Sequence, residues 1–256
     1  MSKNRKYPIL EFDDSKKAFI DPSHVLAKYG VHDFPSKLIV CFFREVIDSM
    51  VEKKEITPLV TIQGENLNVF YKFVDKNTAI IQGIIGSPAC AGQVEEGIAL
   101  GAKKIMFCGG AGSLDKSVTI GKIVIPAKAI RDEGTSYHYM RPSKEASMDL
   151  GTVKAISDYL IEKNIEFIIG KTWTTDAFYR ETPLMIKRRK RQGAIIVEME
   201  QAALLAISKF RNIKYGALIY GGDDLSGDKW DTRLWRNKID IRTQLVDYCK
   251  ELVELI

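Results

Sequence analysis

The second half of the chain alternates short apolar runs with amphipathic stretches, and this order constrains the fold more than any other feature. Strands are predicted over residues 104–108, 120–130, 166–172, 194–197 and 215–220. Helices are predicted over residues 143–163, 183–192, 199–210 and 231–255. Strands that alternate with helices form a mostly parallel sheet with helices on both faces. We therefore predict an α/β fold.

The first half of the chain follows a different pattern. Residues 37–53 are predicted to form a helix, because apolar residues occupy much of its circumference. Three strand-like runs follow over 58–62, 67–73 and 78–83, and a helix begins at Ser87-Pro88 and ends at Gly101. Consecutive strands favour an antiparallel section. We expect a single domain over 1–256 with a mixed, mostly parallel central sheet flanked by helices, in which the polar residues 1–35 form an N-terminal arm.

Composition and charge exclude several classes of protein. The chain is 45% hydrophobic and 28% charged, which is typical of globular rather than disordered proteins. The net charge of +5 suits an anionic small substrate and does not demand nucleic acid. The four cysteines lie far apart, without CxxC spacing, as expected for reduced thiols. No apolar run approaches the roughly 18 residues of a membrane span, and no signal peptide is expected. These features favour a cytoplasmic protein without a membrane partner.

Three predicted strand ends carry groups suited to chemistry. The glycine-rich segment Gly109–Gly112 can turn sharply and present backbone N–H groups to an anion, or it can be a tight turn only. Glu198 and Glu200 project to the same side of their strand end, where carboxylates can accept hydrogen bonds from ribose hydroxyls. The alternative is a helix N-terminus enriched in glutamate. Asp223 follows two glycines and can act as a general acid, or can form an Asx turn.

Two further segments allow a functional and a structural interpretation. The segment from Thr174 to Tyr179 contains aromatic residues that can stack on a base or belong to the core. The basic run Lys187–Arg191 circles most of a predicted helix, so a solvated helix is favoured over contact with nucleic acid. The chain has three histidines and no Cys/His cluster, so no metal site is expected.

Taken together, these segments resemble the nucleoside phosphorylase family, which includes hexameric bacterial purine nucleoside phosphorylases and uridine phosphorylases. The resemblance runs from about Ser87 to the C-terminus. Its anchors follow the family order: the Ser-Pro helix ending in Gly101-Ala102-Lys103-Lys104, Gly109–Gly112, Gly121–Pro126, Asp132–Tyr139, Asp176–Tyr179, Val197–Glu200 and Gly222–Asp224. The resemblance implies the phosphorylase fold, no cofactor and inorganic phosphate as a co-substrate.

The resemblance also implies roles for individual residues. Phe178 is similar to the aromatic residue that packs on the nucleobase. Met199 resembles the residue under the ribose, and Glu200 resembles the carboxylate that binds the ribose hydroxyls, with Glu198 beside it. Asp223 is similar to the acid that protonates a purine leaving group. Arg236 is expected to assist that acid, with Arg233 as the less favoured candidate.

The phosphate site is where the sequence departs from the family. Members of the family draw arginines from three places, one of them a neighbouring subunit. His24 is the nearest match to the first arginine, and Phe107 stands in the place of the second. Gly110 stands where a Ser or Thr usually contacts phosphate. We therefore expect phosphate to be held by the N–H groups of Gly109 and Gly110, with His24.

The leading functional hypothesis is a nucleoside phosphorylase that cleaves a purine-like nucleoside with phosphate to free base and pentose 1-phosphate. A nucleosidase of the same fold, a uridine phosphorylase and a non-catalytic nucleoside-binding protein are the alternatives. Because neighbours often complete the site in this family, we expect a homo-oligomer, either a dimer or a trimer of dimers, associating through 37–53 and the strands after it.

Overall fold

The computed structural model describes residues 7–256, which are built around one ten-stranded mixed sheet. The strands are β1 Lys37–Cys41, β2 Ile56–Gln63, β3 Leu67–Phe73, β4 Ala79–Gln82, β5 Lys104–Ser113, β6 Ile123–Asp132, β7 Glu145–Ser147, β8 Phe167–Thr175, β9 Ala194–Glu198 and β10 Lys214–Asp224. The helices are α1 Pro22–Leu26, α2 Arg44–Glu52, α3 Ser87–Leu100, α4 Leu150–Glu162, α5 Pro183–Arg191, α6 Gln201–Arg211 and α7 Ile239–Leu255.

Strand β5 is the centre of the sheet, because three strands pair with it. Strand β10 runs parallel to it along nearly its whole length. On its other edge, β1 pairs with β5 up to Cys108, and β9 pairs with it at Gly112 and Ser113. Strands β5, β10, β6, β8 and β9 thereby form a closed circuit, and β1, β4, β3 and β2 extend from it. The predicted mixed α/β sheet is confirmed.

Helices cover both faces of this sheet. Gly97 of α3 lies against Leu38 on one face, and α6 packs beside α3. The other face is covered by α4 and α7, where the thiol of Cys249 lies 3.8 Å from the Phe107 carbonyl oxygen. All four cysteines are free and buried. No helix in residues 7–256 has the length and apolar character to cross a membrane.

The predicted helix over 37–53 is wrong in its first part, which is strand β1. Leu38, Ile39, Val40 and Cys41 are fully buried and pair with β4 and β5 in parallel. A strand buried on both faces is a continuous apolar run, and periodicity cannot distinguish it from a buried helix. Only α2, over Arg44–Glu52, is helical.

Two predicted helices begin later than expected. The stretch from Glu145 to Ser147 pairs with β6, and α4 begins only after Asp149, whose side chain accepts a hydrogen bond from the Thr152 N–H. The last helix, α7, begins at Ile239 rather than 231, because Arg233 and Leu234 adopt left-handed φ angles of 47° and 49° that no α-helix accommodates.

The glycine segment Gly109–Gly112 is not a loop. It continues β5, with Gly110 opposite Tyr220 and Ala111 opposite Gly221 in the parallel pairing to β10. Residues 1–6 of the predicted N-terminal arm lie outside the described part of the chain. The rest of the arm includes α1, which packs against α3.

Candidate active site

Segments at the carboxyl ends of the strands are tied to one another by hydrogen bonds. The Gly86 N–H donates to Glu200 Oε1 at 2.7 Å, and the Ser87 hydroxyl donates to the Met199 carbonyl at 2.6 Å. These bonds join the start of α3 to the residues before α6. On the other side, the Gly134 N–H donates to Asp176 Oδ2 at 2.8 Å. The carboxyl ends of parallel strands are the usual location of ligand sites in α/β proteins.

Glu198 is buried, and both of its carboxylate oxygens accept hydrogen bonds. Oε1 accepts from the hydroxyls of Thr172 and Thr174 at 3.1 and 2.6 Å. Oε2 accepts from the backbone N–H groups of Glu200 and Gln201 at 2.6 and 2.7 Å. The carboxylate therefore fixes the turn between β9 and α6, and with it the positions of Met199 and Glu200.

Glu200 lies in that turn, directly before α6, and is 5% exposed. Burial raises the pKa of its carboxyl, and the neighbouring Glu198 raises it further. Hydrogen bonds that donate to a carboxylate stabilise its charged form, so hydroxyls supplied by a bound sugar would lower this pKa. Glu200 is thus placed to respond to a polyhydroxylated ligand.

Asp223 lies at the end of β10 and is half-buried. Its Oδ2 accepts a hydrogen bond of 2.6 Å from the indole N–H of Trp230. Its other oxygen lies beside Gly112 of β5, at 3.6 Å from the position that a Cβ would occupy there. A side chain at Gly112 would also meet Leu225 at 2.6 Å, so glycine at this position leaves room for the segment that carries Asp223.

The structure does not bring Arg236 to Asp223. Arg236 is exposed, and its guanidinium lies 5.5 Å from the centre of the Trp235 ring. Arg233 instead forms an ion pair with Asp224, the neighbour of Asp223, and donates to the Val118 carbonyl at 3.0 Å. Arg233 therefore anchors the loop after β10.

The expected base-stacking residue, Phe178, lies on a single turn after β8. It is 49% exposed and packs against Tyr179 with a centroid distance of 4.0 Å. Glu181 follows this turn. Burial raises the pKa of Glu181 to about 7, and the negative charge of Asp223 contributes to the shift. The carboxyl groups of Glu181 and Asp223, from separate segments of the chain, are thus electrostatically linked.

The raised pKa of Glu181 predicts a pH-dependent gain in stability for Glu181→Gln. The pKa is about 4.5 in the unfolded chain and about 7 in the folded one, so the folded state binds more protons between these values. The free energy of unfolding of the wild type therefore falls as pH rises through this window. We expect Glu181→Gln to equal the wild type at pH 4 and to exceed it by about 1–2 kcal/mol at pH 8, after allowing for solvent screening.

Denaturant unfolding at pH 4, 6 and 8 measures this difference. Glu65→Gln, on the exposed turn between β2 and β3, controls for the loss of one negative charge. A difference between Glu181→Gln and the wild type that stays constant with pH would contradict the interpretation.

The expected phosphate site holds aromatic rings. Phe107 leans over Gly109, so that a Cβ on that glycine would meet its ring at 2.8 Å. Phe42, directly after β1, packs on Phe107 at 5.0 Å between ring centroids and against Gly83 of the strand-end segment after β4. The face of the sheet at Gly109 is therefore apolar.

His24 lies elsewhere. It is an exposed residue of α1, whose first residues border a small cleft with Ile98, Ala99 and Arg211. Ile98 lies in the last turn of α3, about 16 Å along the helix axis from Ser87 at its start. The structure therefore does not bring His24 to Gly109 and Gly110, because α1 packs against the end of α3 that lies away from Ser87.

Sequence reasoning did not identify four residues of this region: Phe42, Gly86, Glu181 and Trp230. Phe42 falls within the helix predicted over 37–53, and no role is predicted for Gly86, which directly precedes the helix predicted from Ser87. The one available signal was Trp230, a tryptophan seven residues after the candidate acid. Its contact with Asp223 depends on how the intervening loop folds back, which local sequence does not specify.

The mixed sheet with helices on both faces, and carboxylates gathered after its strands, define an α/β protein of the purine and uridine phosphorylase architecture. The model of the phosphorylase superfamily matches residues 38–254. The chain belongs to this superfamily, which confirms the resemblance to nucleoside phosphorylases.

Individual relatives and solved structures agree with this assignment. A guanosine phosphorylase from Halorubrum lacusprofundi is 27% identical over 172 residues, which cover 67% of this chain and 71% of the relative. A purine nucleoside phosphorylase from Plasmodium falciparum is 27% identical over 207 residues, covering 71% of this chain and 83% of the relative. The crystal structure of an AMP nucleosidase from Bacteroides thetaiotaomicron superposes with a TM-score of 0.74 at 19% identity, covering 91% of this chain and 94% of that one. The last similarity concerns the fold alone.

Proposed function

We propose that the protein is a nucleoside phosphorylase that cleaves the N-glycosidic bond of a purine-like nucleoside with phosphate. The products are the free base and a pentose 1-phosphate. The observation that carries this proposal is Asp223, a half-buried carboxyl group at the carboxyl end of strand β10, which pairs with β5. The phosphorylases among the relatives support the reaction class.

The proposed mechanism assigns a separate task to each group. Cleavage of an N-glycosidic bond develops positive charge on the sugar and negative charge on the departing base. Asp223 donates a proton to the purine ring as the bond breaks, which general acid catalysis makes about 10²–10⁴-fold faster. Glu200 accepts hydrogen bonds from the ribose hydroxyls, and Met199 packs under the sugar. Phe178 stacks on the base. Holding the sugar and base in one orientation lowers the entropic part of the barrier.

A second candidate function, hydrolysis by water, is favoured by the aromatic rings at the expected phosphate site. Phe42 and Phe107 occupy the face of the sheet at Gly109. Charge-assisted hydrogen bonds to an anion are each worth about 1.5–3 kcal/mol. An apolar surface supplies no such hydrogen bonds to phosphate. Water is uncharged and does not need cationic groups to bind it.

The two candidates differ in their product. The protein, dialysed free of phosphate, is incubated with inosine, guanosine, adenosine or uridine, with and without 50 mM phosphate. Phosphorolysis predicts a rate that depends on phosphate and yields pentose 1-phosphate. Equal rates and free pentose in both buffers would establish hydrolysis instead. Cleavage of uridine but of none of the three purine nucleosides would contradict the purine assignment. Tight nucleoside binding without cleavage would indicate a non-catalytic nucleoside-binding protein.

We also propose that the protein is a cytoplasmic homo-oligomer, a dimer or a trimer of dimers, that acts in nucleotide salvage. Sedimentation at micromolar concentration tests the assembly. A monomer that retains full activity would contradict it.

A further inference from the structure

A cleft of about 690 Å³ opens between α5 and the loop over 225–230. This volume lies within the range of small-molecule sites, which is about 300–1,000 Å³. The cleft adjoins the segments that carry Phe178 and Asp223, because one wall continues from Glu181 and the other begins at Leu225. The proposed nucleoside cleavage assigns it no role.

Three basic residues of α5 face this cleft together. On α5, Lys190 and Arg191 lie three and four residues after Lys187, which places them on the same side of the helix as Lys187. All three residues line the cleft. Arg189 points elsewhere, pairing with Asp132 at 2.7 Å and lying 5.6 Å from the centre of the Trp173 ring. Three of the five basic residues of Lys187–Arg191 therefore line the cleft, and the positive charge of the run is not spread evenly around the helix.

The opposite wall offers an aromatic ring. Trp230 lines the cleft with 64% of its surface exposed, yet its indole N–H is bound to Asp223 at 2.6 Å. An exposed ring held by a hydrogen bond presents a stacking surface at little entropic cost. Lys229, next to it, adds a fourth cation, and Glu181 and Asp228 are the two acidic residues of the lining.

We propose that this cleft is a second binding site, for a nucleotide, separate from the site of nucleoside cleavage. The base of the nucleotide stacks on Trp230, and its phosphates bind Lys187, Lys190 and Arg191. Aromatic rings and cations arranged in this way recognise bases and phosphates respectively. The cleft is not the binding site of the attacking phosphate. It lies on the side of Asp223, where the base departs, whereas the phosphate attacks the opposite face of the sugar.

Titration of the whole protein with ADP tests the proposal, by calorimetry and by tryptophan fluorescence at 50 and 200 mM salt. We expect saturable binding that weakens with salt and quenches fluorescence. The double variant Lys187→Gln/Lys190→Gln should weaken ADP binding at least tenfold, and Trp230→Phe should abolish most of the quenching. Arg188→Gln, on the same helix outside the cleft, is the matched control and should bind ADP as the wild type does.

Three further arms separate this site from simpler explanations. Adenosine, which carries the base but not the phosphates, should displace ADP at least tenfold more weakly than unlabelled ADP does, and equally effective displacement would place ADP in the nucleoside site and overturn the proposal. Pyrophosphate should bind at least tenfold more weakly than ADP, and equal affinity would overturn the role of Trp230. Equal weakening by Arg188→Gln, or no binding of ADP at millimolar concentration, would overturn the site altogether. None of these readouts depends on catalysis, so the proposed function can fail while this site stands.

Discussion

Replacing Asp223 with asparagine is expected to lower kcat for purine nucleoside cleavage by about 10²–10⁴-fold, the usual contribution of a general acid. Asparagine keeps the size of the side chain and can still accept the 2.6 Å hydrogen bond from Trp230. It cannot release a proton to the departing base. The loss should therefore fall on kcat, with KM changed little, because the substrate contacts of the ground state remain. Initial rates over a range of nucleoside concentrations measure both constants.

The control is Asp158→Asn, which removes one carboxylate from the exposed surface of α4, where it pairs with Lys154. We expect this variant to retain wild-type kinetics. An Asp223→Asn variant within threefold of the wild type would remove Asp223 from the mechanism.

Much of the fold was predictable because its signals are local. The helix from Ser87 to Leu100 has proline near its start and glycine after its end, and its predicted bounds agree with the structure. The prediction for strand β1 was wrong for a physical reason. Because Leu38 to Cys41 are buried on both faces, their apolar residues show neither the alternation of a strand nor the periodicity of a helix. Its neighbours β4 and β5, which determine that it is a strand, lie tens of residues away in sequence.

The candidate site shows the same division between local and long-range information. The carboxylates of Glu198, Glu200 and Asp223 lie at or just after the ends of strands. The carboxyl ends of parallel strands meet at one edge of a sheet. The roles of His24 and Arg236 follow from the family resemblance, through their positions along the chain. Such positions do not determine which end of α3 a helix contacts or which way a loop turns. The rings of Phe42 and Phe107 meet only because β1 and β5 pair.

Removing the carboxylate of Glu198 should have a large effect on stability. Glu198→Ala removes the acceptor of four hydrogen bonds. The donors are the hydroxyls of Thr172 and Thr174 and the backbone N–H groups of Glu200 and Gln201. Each buried group left unpaired costs about 1–3 kcal/mol, and the removal of a repulsive partner from Glu200 offsets part of the total. We expect Glu198→Ala to lower the free energy of unfolding by about 3–5 kcal/mol, measured by denaturant unfolding.

Glu198→Gln distinguishes the hydrogen bonds of this carboxylate from its charge. The amide oxygen can accept from the two backbone N–H groups, while the amide nitrogen donates to the threonine hydroxyls, which are able to accept. The fold should therefore survive with a loss of less than about 1.5 kcal/mol. Loss of the neighbouring negative charge should lower the pKa of Glu200, which Glu198 raises in the wild type. Glu162→Ala, at the exposed end of α4, is the control for a lost glutamate.

The two variants should also differ in activity, because the turn that holds Met199 and Glu200 depends on the hydrogen bonds of Glu198. Activity should persist in Glu198→Gln and disappear in Glu198→Ala. The reverse order would show that the charge of Glu198, and not its role as an acceptor, supports the site.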